Sequence, residues 1–147
     1  MTLFIAIAIF LTLSVTAALH LYWAAGGYWP AQSKDALVQT VVGGKGMRQM
    51  PPAWLTVLVS VAIFLAGLLP LLWVTSAGQI LPTALLKIAV VTLFAIFTLR
   101  GIASYTRFFR RLHGEEPFAS LDKRYFGPLC LLIGAGMGVI LLQMWGL

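Results

Sequence analysis

Residues 100–130 read RGIASYTRFFRRLHGEEPFASLDKRYFGPLC, and this stretch decides how the chain is organised. It holds six of the ten Lys and Arg residues, three of the four acidic residues and one of the two histidines. The sequence on either side is mostly apolar. Charges gathered in one short stretch of an apolar chain predict a loop beside a membrane, and this is where a functional site is expected.

The composition of the whole chain predicts an integral membrane protein. Hydrophobic residues make up 61% of the sequence and charged residues 10%, whereas a soluble domain has about 25% charged residues. A length of 147 residues accommodates four spans of about 20 residues each, so residues 1–147 are expected to form one domain. The basic residues flank the apolar segments, which favours membrane lipids as partners and argues against nucleic acid.

The apolar runs predict an all-α integral membrane four-helix bundle. The predicted spans cover residues 3–25, 53–74, 82–100 and 125–145. A cleaved signal peptide is the alternative for the first run, but no Lys or Arg precedes it. After Arg100 the apolar residues recur at helical spacing with arginines between them. This pattern predicts a basic amphipathic extension of the third helix that ends near Gly114.

The distribution of positive charge predicts the orientation. Nine of the ten Lys and Arg residues lie in or next to the two long loops, 26–51 and 100–124. The positive-inside rule places such loops in the cytoplasm. The chain is therefore expected to be a multi-pass protein of the cell inner membrane with both termini on the periplasmic or extracellular side.

Four short motifs resemble one family of small bacterial membrane proteins. They are H-x-Y-W-A-x-G-G at His20–Gly27, R-G-I at Arg100–Ile102, F-A-x-x-D at Phe118–Asp122 and Y-F-G-P-L-C-L-L-I-G at Tyr125–Gly134. Together they look like the family catalogued as domain of unknown function 3995. The resemblance implies a four-helix membrane protein and no established activity.

Polar and aromatic residues that share one depth in the predicted bundle form the candidate ligand site. An ionisable residue inside a membrane is a functional candidate by default, and an arginine can hold a carboxylate or phosphate through its planar fork. The predicted ligand-binding residues are His20, Tyr22, Trp23, Arg100, Asp122 and Tyr125.

Each of these residues also has a simpler structural interpretation. His20 can be a neutral imidazole bonded to a neighbouring helix, and the aromatic residues can belong to the interfacial belt. Arg100 can extend to the headgroups. Asp122 can cap the N-terminus of the fourth helix or pair with an arginine.

Small residues on the fourth span predict close helix packing rather than chemistry. Cys130, Gly134 and Gly138 recur at helical spacing, and the two glycines form a GxxxG pattern. This contact can lie within one chain or between copies in a homo-oligomer. One histidine in the spans argues against a bis-histidine haem, and no ligand spacing indicates a metal. No cofactor is therefore predicted.

Three hypotheses for function follow from these residues. The first is a binding or accessory protein whose cytoplasmic-side pocket takes an anionic amphiphile such as a lipid headgroup. The second is a membrane enzyme that acts on a lipophilic substrate with His20 as general acid or base. The third is a small-solute transporter, which the scarcity of polar residues in the outer half of the spans disfavours.

Overall fold

The protein is described by a computed structural model that covers residues 1–44, 46, 49–75, 77 and 81–146. The described secondary structure is helical, as the sequence predicts. The helices are α1 (Thr2–Ala24), α2 (Lys34–Val41), α3 (Ala53–Val74), α4 (Thr83–Ala103), α5 (Arg107–Leu112), α6 (Phe118–Leu121) and α7 (Gly127–Met144). A π-helical turn over Asp122–Phe126 joins α6 to α7, and the chain is helical from Phe118 to Met144.

Four long helices carry the fold: α1, α3, α4 and the continuous helix Phe118–Met144, all apolar enough to cross a membrane. The shortest of them has 21 residues, which at 1.5 Å per residue reaches across a hydrocarbon core of about 30 Å. Large apolar side chains point outward on each, for example Phe4, Leu99 and Leu132, with 78%, 65% and 71% exposure. Such an outer surface suits lipid rather than water.

The four helices associate as two tight pairs. Helix α1 packs mainly against α3, and α4 packs mainly against α7. Between α1 and α3, the buried Ser60 Oγ donates to the Ala17 carbonyl at 2.7 Å. Gly67 allows close approach, because a Cβ atom there would lie 3.2 Å from Phe10 Cα. Small residues and interhelical hydrogen bonds are what hold helices together in lipid.

The second pair uses glycines on both helices. A Cβ atom at Gly101 of α4 would lie 3.0 Å from the Leu131 backbone nitrogen, and one at Gly134 of α7 would lie 3.2 Å from the Thr98 nitrogen. Gly138 faces Phe94. The predicted glycine stripe on the fourth span thus lies against α4 of the same chain.

The two pairs share a hydrophobic core in the half of the bundle that holds the chain termini. Its members come from the first halves of α1 and α4 and from the second halves of α3 and the helix Phe118–Met144, because neighbouring spans run in opposite directions. They are Ala6, Ile9, Leu13, Ala66, Val90, Ile133, Met137, Ile140, Leu141 and Met144. The opposite half, which carries the two long loops, is organised differently.

At that loop end, α2 and α6 bring the two long loops together. Leu37 and Val38 of α2 are buried, as is Phe118 of α6. Gly43 adopts a positive φ of 57° and lies so close to the Phe118 ring that no Cβ atom fits. The Gly46 N–H donates to Glu115 Oε1 at 3.2 Å. Both long loops therefore lie at the same end of the bundle.

The structure differs from the predicted extension of the third helix. Helix α4 ends at Ala103, and a new helix begins at Arg107, where the Thr106 hydroxyl accepts from the Phe109 N–H at 3.3 Å. Thr106 is an N-cap in extended conformation, so the helical hydrogen bonds cannot continue through it. The fourth spanning helix also begins earlier, at Phe118.

Candidate functional site

Arg100 and Asp122 form an ion pair where the end of α4 meets the π-helical turn. Arg100 Nη2 donates to Asp122 Oδ1 at 2.6 Å, and Nη1 donates to Ser104 Oγ at 2.6 Å. The guanidinium lies 4.8 Å from the centre of the Phe109 ring, within range of a cation–π interaction. Asp122 therefore acts as the partner of an arginine and not as the N-cap of the fourth helix.

The surroundings of this pair are closely packed. Asp122 is fully buried, whereas 33% of the Arg100 side chain is exposed. A Cβ atom at Gly127 would lie 2.8 Å from Ser104 Cβ. The start of α7 can therefore lie this close to the end of α4 only because residue 127 is a glycine. Asp122 Oδ2 is buried and has no hydrogen-bond partner among the described residues. Asp122 already compensates the charge of Arg100, so the pair offers little to an external anion.

His20 lies in a different setting, on α1. Its Nδ1 atom is 2.8 Å from the Thr16 carbonyl oxygen. A carbonyl only accepts, so Nδ1 carries a proton, and in the neutral imidazole Nε2 is then the acceptor. The imidazole lies 4.9 Å from the Trp23 ring, and Trp23 Nε1 donates to the Trp29 carbonyl at 2.8 Å. Both side chains are thereby held in place.

His20 and Trp23 line a cleft between the ends of α1, α2 and α3, which we call the α1–α3 cleft. It consists of two adjoining compartments of about 300 Å³ and about 180 Å³. Both are lined by Trp23, Met50, Pro51 and Thr56. The larger adds His20, Val41, Val42, Leu55 and Val59. The smaller adds Ala24, Gly26, Gly27, Lys34, Leu37 and Ala53.

The predicted ligand-binding residues do not converge on one pocket. Neither Arg100 nor Asp122 lines the α1–α3 cleft. Tyr22 is half exposed and lies against Gly27. Tyr125 is also half exposed, and the Arg124 guanidinium lies 5.4 Å from its ring. The structure thus divides the predicted set into a closed ion pair, an open cleft and two surface tyrosines.

The described residues form no group that could hold a metal ion. No cluster of three or more His, Cys, Asp and Glu side chains occurs in the part of the chain that the structure describes. Cys130 is a free, partly buried thiol on α7, one turn beyond Gly127 in the α4–α7 pair.

Two contributors to these sites were missing from the sequence-based set. Ser104 lies four residues after Arg100, so helical spacing alone could have placed its hydroxyl beside the guanidinium. Lys34 opens α2 just after the Ser33 N-cap, whose Oγ accepts from the Ala36 N–H at 3.2 Å. The cap signal was present in the sequence, but the position of Lys34 beside the end of α1 depends on how the loop folds.

Taken together, the four apolar spans, the outward apolar surface and the polar groups gathered at one end define a multi-pass helical membrane protein. The chain belongs to the family described as protein of unknown function (DUF3995), whose model matches residues 13–137. This match includes all four motifs and confirms the predicted family. No curated protein and no solved structure matches the chain.

Proposed function

We propose that this protein is a binding or accessory protein of the inner membrane whose α1–α3 cleft takes an anionic amphiphile. The observation that carries the proposal is the division of the cleft into an apolar part and a cationic part. Leu55 and Val59 line the larger compartment, and Lys34 lines the smaller one. Ligand sites are typically concave and mostly apolar, with a few polar groups that orient the ligand.

Lys34 is the anion-binding residue in this proposal, and Arg100 is not. Arg100 already interacts with Asp122, Ser104 and Phe109, whereas in the described part of the chain Lys34 forms no ion pair. The buried Thr56 hydroxyl donates to the Pro52 carbonyl at 3.4 Å, so it and the neutral His20 Nε2 atom are acceptors that suit a donor group of the ligand, not its anionic head. An amphiphile would place its head near Lys34 and its apolar body against Val59.

The positive-inside count supports a cytoplasmic location for the cleft. Lys34 and the basic residues after Arg100 lie at the loop end. With this end in the cytoplasm, the head of the ligand would sit at the level of the inner-leaflet headgroups, where anionic lipids are available.

The test is native mass spectrometry of the protein released gently from its own membrane, with identification of bound lipids and small molecules. Val59→Trp fills the apolar compartment without changing charge. Val57→Trp is the matched control, because Val57 has the same exposure on the same helix, 40% against 39%, and does not line the cleft.

We expect a stoichiometric bound species in the wild type that is lost in Val59→Trp and retained in Val57→Trp. Lys34→Gln should reduce its occupancy by about ten-fold, the effect of one charge-assisted hydrogen bond, and Lys123→Gln should not. Equal retention in Val59→Trp and Val57→Trp would exclude the cleft as the binding site.

An enzyme is the second candidate, because the Thr16 carbonyl holds His20 in the tautomer that leaves Nε2 as an acceptor. A positioned acceptor of this kind is what a general base requires. The signature would be turnover of a bound lipophilic substrate that is lost in His20→Gln while binding persists. Loss of binding alone would support only the binding role.

The transporter hypothesis gains no support from the distribution of polar groups. The buried polar residues of the described chain all lie in the half of the bundle nearer the long loops. They are Thr56, Ser60, Ser104 and Asp122. A polar path would also need such groups in the half that holds the termini, where the shared core is apolar.

A further inference from the structure

A separate cavity lies at the loop end, beside the end of α5. Its volume is about 410 Å³, and Arg110, Arg111, Gly114 and Glu115 line it. None of these residues lines the α1–α3 cleft. We call it the α5 cavity.

Only one of the two terminal nitrogens of Arg110 has a hydrogen-bond partner among the described residues. Its Nη1 atom donates to the Ala119 carbonyl at 2.6 Å. Its Nη2 atom is buried and has no hydrogen-bond partner among the described residues. A buried unpaired donor is unfavourable, so buried polar groups normally have a partner. Because a guanidinium only donates and always carries its charge, the partner that suits it is an anion.

The cavity is also lined by one further cation, Arg111, and by one anion, Glu115, which do not pair with each other. Arg111 is exposed and adds a second cation. Glu115 forms no ion pair with either arginine in the described chain, and its Oε1 atom accepts instead from the Gly46 N–H at 3.2 Å. Gly114 also lines the cavity, and no side chain fits at this position because a Cβ atom would clash with the Arg110 carbonyl oxygen.

We propose that the α5 cavity binds a phosphate group that carries an amine, as in phosphoethanolamine. The phosphate would accept from the exposed Arg111 and lie beside the positive charge of Arg110, and the ammonium would face the Glu115 carboxylate. A ligand with a phosphate alone would leave Glu115 opposing it, whereas the zwitterion matches both signs of charge on the wall. The same chemistry is present in the headgroup of phosphatidylethanolamine and in soluble O-phosphoethanolamine.

The lipid form is tested in nanodiscs of phosphatidylcholine with equal amounts of phosphatidylethanolamine and phosphatidylglycerol. Lipids retained by the protein are quantified by native mass spectrometry. We expect the wild type to retain phosphatidylethanolamine over phosphatidylglycerol. Arg111→Gln should lower that retention by about ten-fold, and because Arg111 is exposed the bundle should remain folded. Arg107→Gln on the same helix is the control.

Glu115→Gln is the more selective variant, because the amide oxygen can still accept from the Gly46 N–H. It should reverse the preference toward phosphatidylglycerol, while Glu116→Gln should leave the preference unchanged. Val59→Trp in the α1–α3 cleft should also have no effect here, so this test can succeed or fail independently of the proposed function.

The soluble form is tested by titrating O-phosphoethanolamine, and inorganic phosphate as reference, into the protein in a neutral detergent by calorimetry. Binding of O-phosphoethanolamine without lipid retention would support the site and assign it a soluble ligand. Retention of phosphatidylethanolamine without binding of O-phosphoethanolamine would support the site and assign it a lipid ligand. If the wild type binds neither form, or if Arg111→Gln and Glu115→Gln bind both as the wild type does, the proposal is overturned.

Discussion

The α4–α7 pair and the α1–α3 pair end differently at the same end of the bundle. In the first pair, the buried Asp122 carboxylate forms an ion pair with Arg100, and glycines at 101 and 127 allow close packing around it. The second opens into a cleft lined by His20, Trp23 and Lys34. The difference teaches that charged residues near the same membrane interface can be treated differently by the fold: Arg100 is paired with an acid of the chain, whereas Lys34 forms no ion pair among the described residues.

If the proposed function holds, the α4–α7 pair contributes stability at this end of the bundle and the α1–α3 pair contributes ligand binding. Substitutions at the closed ion pair should change the free energy of unfolding and leave ligand retention alone. Substitutions in the α1–α3 cleft should reduce ligand retention and change the free energy of unfolding only a little. The three predictions below test the stability side, from the largest expected effect to the smallest.

Asp122→Ala should produce the largest loss. Removing one partner of a buried pair leaves the other uncompensated and is unfavourable by about 3–5 kcal/mol; Arg100 is a third exposed, so the lower end, about 3 kcal/mol, applies here. The measurement is equilibrium unfolding in mixed micelles. Asp35→Ala, an exposed acid on α2, is the control and should change little. A loss as small as that of Asp35→Ala would show that the pair does not stabilise the bundle.

Gly101→Ala should produce an intermediate loss of about 1–3 kcal/mol, the usual effect of overpacking a tight contact. The added Cβ would lie 3.0 Å from the backbone nitrogen of Leu131, which cannot move without moving α7. Gly136→Ala is the matched control, because the nearest atoms to its Cβ belong to the side chains of Ile5 and Ile9 and not to the backbone. Equal unfolding free energies for the two variants would contradict the close approach of α4 and α7.

His20→Ala should produce the smallest loss, about 1 kcal/mol or less, because a partly buried hydrogen bond contributes about 0.5–1.5 kcal/mol. Only the bond to Thr16 and the contact with Trp23 are removed. The same unfolding assay measures it. A loss comparable to that of Asp122→Ala would contradict the distinction between the two helix pairs, since the cleft would then stabilise the fold as much as the ion pair does.

Much of the fold could be predicted because membrane spans depend on local composition. The apolar runs are long enough to be read without tertiary information, and four spans necessarily place both long loops at one end. The break after Ala103 was not predicted, because the apolar spacing from Ile102 to Leu112 continues through it. The Thr106 cap acts through backbone conformation, which that spacing does not encode.

The candidate site was less predictable. Arg100 and Asp122 were each identified, and their pairing was one of two predicted roles, because a lone buried charge is so unfavourable. The grouping of both with His20 came from shared depth in the membrane. Depth along the bundle axis does not specify which helices are neighbours, and the structure places His20 on the α1–α3 pair and Arg100 on the α4–α7 pair.

The sequence by itself determined the class, the family and the number of spans, since each depends on runs and motifs that are local in the chain. Only the tertiary structure decided the pairing of the helices, the burial of Asp122 beside Arg100 and the opening of the α1–α3 cleft. The physical reason is that packing in lipid is selected by the close fit of small residues such as Gly67 and Gly101. Hydropathy is nearly uniform around each span and carries no information about that fit.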